Sequence, residues 1–220
     1  MKDLIIINNE KVFEENKNFY CDNLDLKILP EDLNNYYKVQ YIVRSSDKKK
    51  DQKINLANVR PSTNIFKFIY FIFKTFKLPS ANYLLISITP YTFFSFLILF
   101  FFRKKPYLYL MSSGHEEYKN ILGFWSVWIY HLMYLISTSY SKVIVNHKRL
   151  YKKNCHILKS SRLNEKWFKN INHISLDKIK LLYVGRLNPE KGIYNFLEIF
   201  NKIESKVEFS IAGSIKKLNI

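Results

Sequence analysis

The chain has 220 residues, 48% of them hydrophobic, so it is long enough for one or two domains and apolar enough to bury a core. Its 35 Lys and Arg against 18 Asp and Glu give a formal net charge of +17, which favours anionic partners: a membrane surface, nucleic acid or phosphorylated substrates. Cys21 and Cys155 lie far apart and match no metal-ligand spacing, which argues against a disulfide or cysteine–metal framework and for free thiols in a reducing compartment.

The N-terminal MKDLIIINNE holds an apolar run of only four residues, too short for the core of a secretory signal. Leu4 to Ile7 reads as the first strand of a Rossmann-like sheet. Lys38 to Val43 is a second short strand, followed by a charged loop over Arg44 to Gln52. Asn64 to Leu78 reads as a helix packing on the sheet; being basic and aromatic, it also suits an anionic membrane surface. Tyr83 to Ile88 is a strand that Thr89-Pro90 ends. Thr92 to Phe102 is the most apolar run, and its eleven residues fall well short of the ~20 a membrane span needs. It reads either as a buried helix between two parallel strands or as a helix dipping into a membrane interface. Arg103 to Lys105 stop it, Pro106 follows, and Tyr107 to Met111 is the next strand.

Ser112 to Gly123 comes next, beyond a strand's carboxyl end, where sites form in open parallel sheets. His115 is the best-placed histidine there, and Glu116 is suited to the N-terminus of the following helix. Phe124 to Ile136 predicts a helix with His131 as a core histidine. Lys142 to Val145 is a strand, Asn146 to Asn154 a turn and helix start, His156 to Leu158 a last short strand, and Asn170 to Asp177 a linker.

The final segment has the clearest pattern. Ile179 to Val184 has the composition of a buried strand, and Gly185 ends it. Arg186 and Lys191 follow, closed by Gly192. Ile193, Phe196, Leu197, Phe200 and Ile203 then mark one helix face, and Lys206 to Gly213 reads as another strand. Strand, loop, helix and strand make a parallel βαβ unit, whose ligands sit beyond the strands' carboxyl ends. Two cations beside a helix N-terminus suit a diphosphate.

Gly185, Arg186, Pro189, Glu190, Lys191 and Gly192 resemble the opening of the second domain in the group 1 glycosyltransferases, also called glycosyltransferase family 4. The resemblance implies an α/β fold of two Rossmann-like domains, the GT-B arrangement. Residues 1–170 would form the acceptor-side domain, in which Val12 to Leu29 resembles the loop and helix start of a bacterial subset of the family, and residues 178–220 the first β-α-β of a truncated nucleotide-sugar-binding domain. The family's later Glu-x7-Glu motif, which holds the donor's sugar and ribose, has no counterpart after Gly213. The resemblance further implies a nucleotide-sugar donor and a surface-polysaccharide, glycan or lipid-linked glycan acceptor, with retention of configuration and neither metal nor cofactor. Gly185, Arg186 and Lys191 would hold the donor diphosphate, Arg186 and Lys191 would serve catalysis, and His115 would contact a sugar hydroxyl. The expected location is cytoplasmic, peripheral on the inner face of the plasma membrane. The alternative is a non-catalytic basic module for anionic membrane or nucleic acid; no nucleic-acid-binding signature is present, so nucleic acid is not expected.

Overall fold

Runs of β-branched and aliphatic residues nucleate the strands of the first unit, and the computed structural model shows how they pair. It describes residues 1–151, 153–158, 169, 179–185, 187, 192–203 and 207–213. The chain divides into two units, Met1–Arg162 and Leu163–Ile220.

In the first unit the strands are β1 (Lys2–Glu15), β2 (Asn18–Cys21), β3 (Tyr37–Ser45), β4 (Gln52–Ile54), β5 (Val59–Ser62), β6 (Asn82–Ile86), β7 (Tyr107–Leu110), β8 (Lys142–Val145) and β9 (His156–Ile157). The helices are α1 (Leu24–Leu33), α2 (Ile65–Thr75), α3 (Pro90–Phe101), α4 (Gly114–Leu122) and α5 (Ser126–Tyr140). Seven strands run parallel in the order β5-β3-β1-β6-β7-β8-β9. Numbered along the chain, the first six of these follow the Rossmann order 3-2-1-4-5-6, with one more strand at the edge. The unit is therefore α/β with a mostly parallel, mixed sheet.

A central parallel strand is buried on both faces, so it must be apolar at every position. Leu4, Ile5, Ile6 and Ile7 meet that demand. Ile5 and Ile7 pack with Phe68 and Ile72 of α2, Phe96 and Leu99 of α3, and Tyr130 and Met133 of α5. Leu4 and Ile6 pack on the other face with Leu26 of α1 and with Val39, Tyr41 and Val43 of β3.

Several expectations are corrected. The first strand does not stop at Ile7. Its pairing with β3 slips between Ile7 and Lys11, and the strand then runs on to Glu15. There it turns back into β2, with Glu15 opposite Asn18. Asn16 and Lys17 have φ of 49° and 62°, the left-handed pair that a two-residue hairpin of type I′ needs. β4 adds to β2, so a hairpin-based antiparallel extension stands where a loop was expected. The helix over Thr92 to Phe102 is not buried all round. Thr92, Ser95, Phe96 and Leu99 face the sheet, while Phe94, Phe101 and Phe102 are exposed. Its start was set by local chemistry: Thr89 and Thr92 cap each other reciprocally, and Pro90 occupies the first turn.

In the second unit β10 (Lys180–Val184) pairs in parallel with β11 (Glu208–Ala212), and α6 (Ile193–Phe200) lies between them in sequence. The Phe196 ring is tilted against those of Tyr183 and Phe209, with centroids 6.4 Å and 4.8 Å away. Leu182 and Val184 are 65% and 74% exposed, so β10 is not the buried strand its composition suggests.

Candidate functional site

β7 ends at Leu110 and β8 at Val145, side by side in the sheet. Beyond their carboxyl ends lies a cavity of about 650 Å³. Its walls are the turn from Ser112 to Glu116, Tyr130 and Tyr134 of α5, and His147, Arg149, Tyr151 and Lys153 beyond β8. The loops are tied together at the base. Asn146 donates its backbone N–H to the Leu110 carbonyl at 3.3 Å, and its side chain receives the Tyr109 hydroxyl.

Gly114 fixes the wall that carries His115. A Cβ there would collide with the Tyr130 ring, so only glycine lets α4 begin this close to α5. Tyr130 is 3% exposed, and burial holds its hydroxyl well above the usual phenol range. Tyr134 donates from its hydroxyl to the Leu150 carbonyl at 2.8 Å, closing the far side.

His115 sits in the first turn of α4, rather than in a loop, with its ring 4.7 Å from that of Tyr130 and 5.3 Å from that of Tyr134. Its Nε2 is 3.1 Å from Nδ1 of His131. That contact leaves ligand recognition by the His115 ring to Nδ1. Partial burial, and then the charge of His131, lower its pKa from the ordinary 6.5, so it stands neutral at neutral pH. A neutral imidazole can accept a hydrogen bond from a hydroxyl or take its proton. His131 itself is exposed and partners His115, which corrects its reading as a core histidine. Glu116 and Glu117 lie in the first turn of α4, with no side-chain cap at Ser113.

At the edge of the second unit's sheet, Gly185 ends β10. Its N–H donates to the Ala212 carbonyl at 3.0 Å, so what it can offer a ligand is close backbone approach. Gly213 is needed for that packing, because a Cβ there would strike the Gly185 carbonyl oxygen. Gly192 caps α6 with φ of 72°, a conformation that favours glycine. Arg186 and Lys191 lie outside the described residues, as do Pro189 and Glu190 and the expected linker over Asn170 to Asp177.

His115 is legible in the sequence, but its surroundings are not. Tyr130, Tyr134 and His131 belong to a helix apolar on most sides, so nothing in the pattern told which side met α4. The one available signal was the basic run after β8, with His147, Arg149 and Lys153 following a strand's carboxyl end. Elsewhere in the unit, Glu10 has a raised pKa from burial, partly offset by Lys50, and the Cys21 thiol is pushed up to about 11 by burial and Glu10. A buried thiol of that kind is unreactive. A second cavity of about 410 Å³, against the α1 face, is lined mainly by Leu, Ile and Tyr. Among the described residues no three His, Cys, Asp or Glu converge as metal ligands would. No described helix is long and apolar enough to cross a membrane. No family model, curated protein or solved structure matches the chain.

Proposed function

We propose that the chain is a glycosyltransferase of the two-domain GT-B type, moving a sugar from a nucleotide-sugar donor to a glycan or lipid-linked glycan acceptor. The observation that carries this reading is the cavity beyond β7 and β8, walled by the neutral His115, in a sheet of Rossmann strand order. Nδ1 of His115 receives the acceptor hydroxyl. Tyr134 and Tyr151 provide the aromatic surface that a sugar ring packs on. Arg149, Lys153 and His147 accommodate negative charge on the acceptor.

The donor's diphosphate is assigned to Gly185, Arg186 and Lys191. As the bond from the sugar to the diphosphate breaks, charge builds on the leaving phosphate. Arg186 grips it with two parallel N–H donors, and Lys191 adds a point charge. The N-terminus of α6 contributes partial positive charge to the same place. Fixed cations aimed at developing charge lower the barrier without reorganising. Transfer with retention, without a metal and on the inner face of the plasma membrane belongs to the same reading.

The test is the release of nucleoside diphosphate from a panel of nucleotide sugars, with His115→Gln compared to the unaltered chain. The proposal expects acceptor-stimulated release that falls by ~100-fold or more in the variant, the lower range for a general base. Release unaffected by His115→Gln would remove the cavity from the reaction.

A further inference from the structure

The outer surface of the α2, α3 and α5 layer is apolar where a water-facing surface carries charge. Phe66, Phe101, Phe124 and Trp128 are 80%, 76%, 73% and 79% exposed, and Trp125 and Leu132 are more than half exposed. The helices form one continuous patch. Phe102 lies 5.6 Å from Phe73 of α2, and Phe100 of α3 lies 4.7 Å from Tyr140 of α5. A contiguous apolar face of this kind marks an interaction site.

The stretch of chain that carries it is strongly basic. From Gln52 to Asn164 there are sixteen Lys and Arg, against only Glu116 and Glu117. The helices α2, α3 and α5 contain no acidic residue. Lys67, Lys74, Lys77, Arg103, Lys105 and Lys119 are exposed. Lys74 lies 4.7 Å over the Tyr70 ring, and Lys119 lies 6.0 Å from that of Phe124. Apolar and aromatic residues flanked by cations are the pattern of a surface that enters an anionic lipid interface. Tryptophan is especially suited to that depth, with an apolar ring and a polar N–H.

We propose that this face seats on an anionic lipid bilayer, with Trp125 and Trp128 inserted at headgroup level. The helices lie on the membrane; at 11, 12 and 15 residues they are too short to cross it. A second copy of the chain fits the face less well, because a two-fold contact would set its cations against their own counterparts. The docking surface stands apart from the chemistry. Its link to substrate rests on the sugar-transfer reading: Leu135 is half exposed on α5 and also lines the cavity, so an acceptor on a lipid reaches the cavity from the bilayer.

The test uses the whole chain carrying Trp167→Phe, which leaves Trp125 and Trp128 as the emitters among its three tryptophans. Vesicles of phosphatidylglycerol and phosphatidylcholine are added, with or without bromine on the acyl chains. The expected results are sedimentation with the vesicles, a blue shift of emission, and quenching by the brominated lipid. In the chain without Trp167→Phe, the double variant Trp125→Ser/Trp128→Ser should partition ~10-fold less while keeping its far-ultraviolet circular dichroism. Three outcomes would each overturn the proposal: no association with anionic vesicles; association without quenching that the double variant leaves unchanged; or a lipid-free dimer that the double variant dissolves. Nucleoside diphosphate binding, measured separately without lipid, would register failure of the transferase reading independently.

Discussion

β1 in the first unit and β10 in the second have similar compositions and opposite environments. Leu4 to Ile7 is closed over on both faces, with Ile5, Ile6 and Ile7 fully buried. Leu181 to Val184 alternates, with Leu182 and Val184 exposed. The difference is in the neighbours. β1 has β3 and β6 beside it and helices on both faces, whereas β10 pairs with β11, and Tyr183 packs toward α6 on one face. An apolar run therefore reports that a strand forms. Whether it is buried depends on partners that the run does not encode.

The sharpest way to break this comparison is to cut the same amount of apolar surface in each unit. Ile6→Ala, at a fully buried site in β1, should cost about 2–5 kcal/mol in denaturant unfolding. Leu182→Ser should stay within about 0.5 kcal/mol, as exposed substitutions do. Equal losses would mean that the two strands are equally enclosed.

Next in size are effects at the two proposed binding regions. Arg186→Ala and Lys191→Ala should each weaken nucleoside diphosphate binding by about 1.5–3 kcal/mol, the range for charge-assisted hydrogen bonds. Gly114→Ala should destabilise the first unit by about 1–3 kcal/mol, because the Tyr130 ring must move to admit a Cβ. A Gly114→Ala chain as stable as the parent would contradict the close approach of α4 to α5.

The smallest expected effect is in the pH dependence. The His115 pKa is lowered, so the folded state resists its protonation more than the unfolded state does. Its contribution to stability is full above 6.5 and is lost as pH falls from there through the lower folded value. The acid limb of the proposed transfer should accordingly lie below 6.5, and His131→Ala should move it upward by removing the charge of the neighbouring imidazole. An acid limb at or above 6.5, unmoved by that variant, would detach the histidine pair from the chemistry.

Much of the fold was legible because its strands are short apolar runs punctuated by Pro, Gly or charge, as at Thr89-Pro90 and Pro106. The extension of β1 was not legible, because Lys11, Glu14 and Glu15 interrupt the apolar pattern and Asn16-Lys17 is a weak turn signal. β4 and β5 escaped for the same reason: they are three and four residues long and carry Lys53, Arg60 and Pro61. His115 was legible from its place after a strand. His131 was not, because a helix rich in aromatic residues on most sides gives no period from which to pick the exposed face. The concentration of cations between Gln52 and Asn164 was readable in principle, but its meaning required knowing that the intervening phenylalanines and tryptophans face outward.

The central claim, a nucleotide-sugar transferase, is tested most directly by titration calorimetry of the whole chain with nucleoside diphosphates. The account predicts saturable binding of at least one, with a dissociation constant below the millimolar range, weakened about ten- to a hundredfold by Arg186→Ala and by Lys191→Ala. No binding to any nucleoside diphosphate, or binding that both variants leave intact, would contradict it.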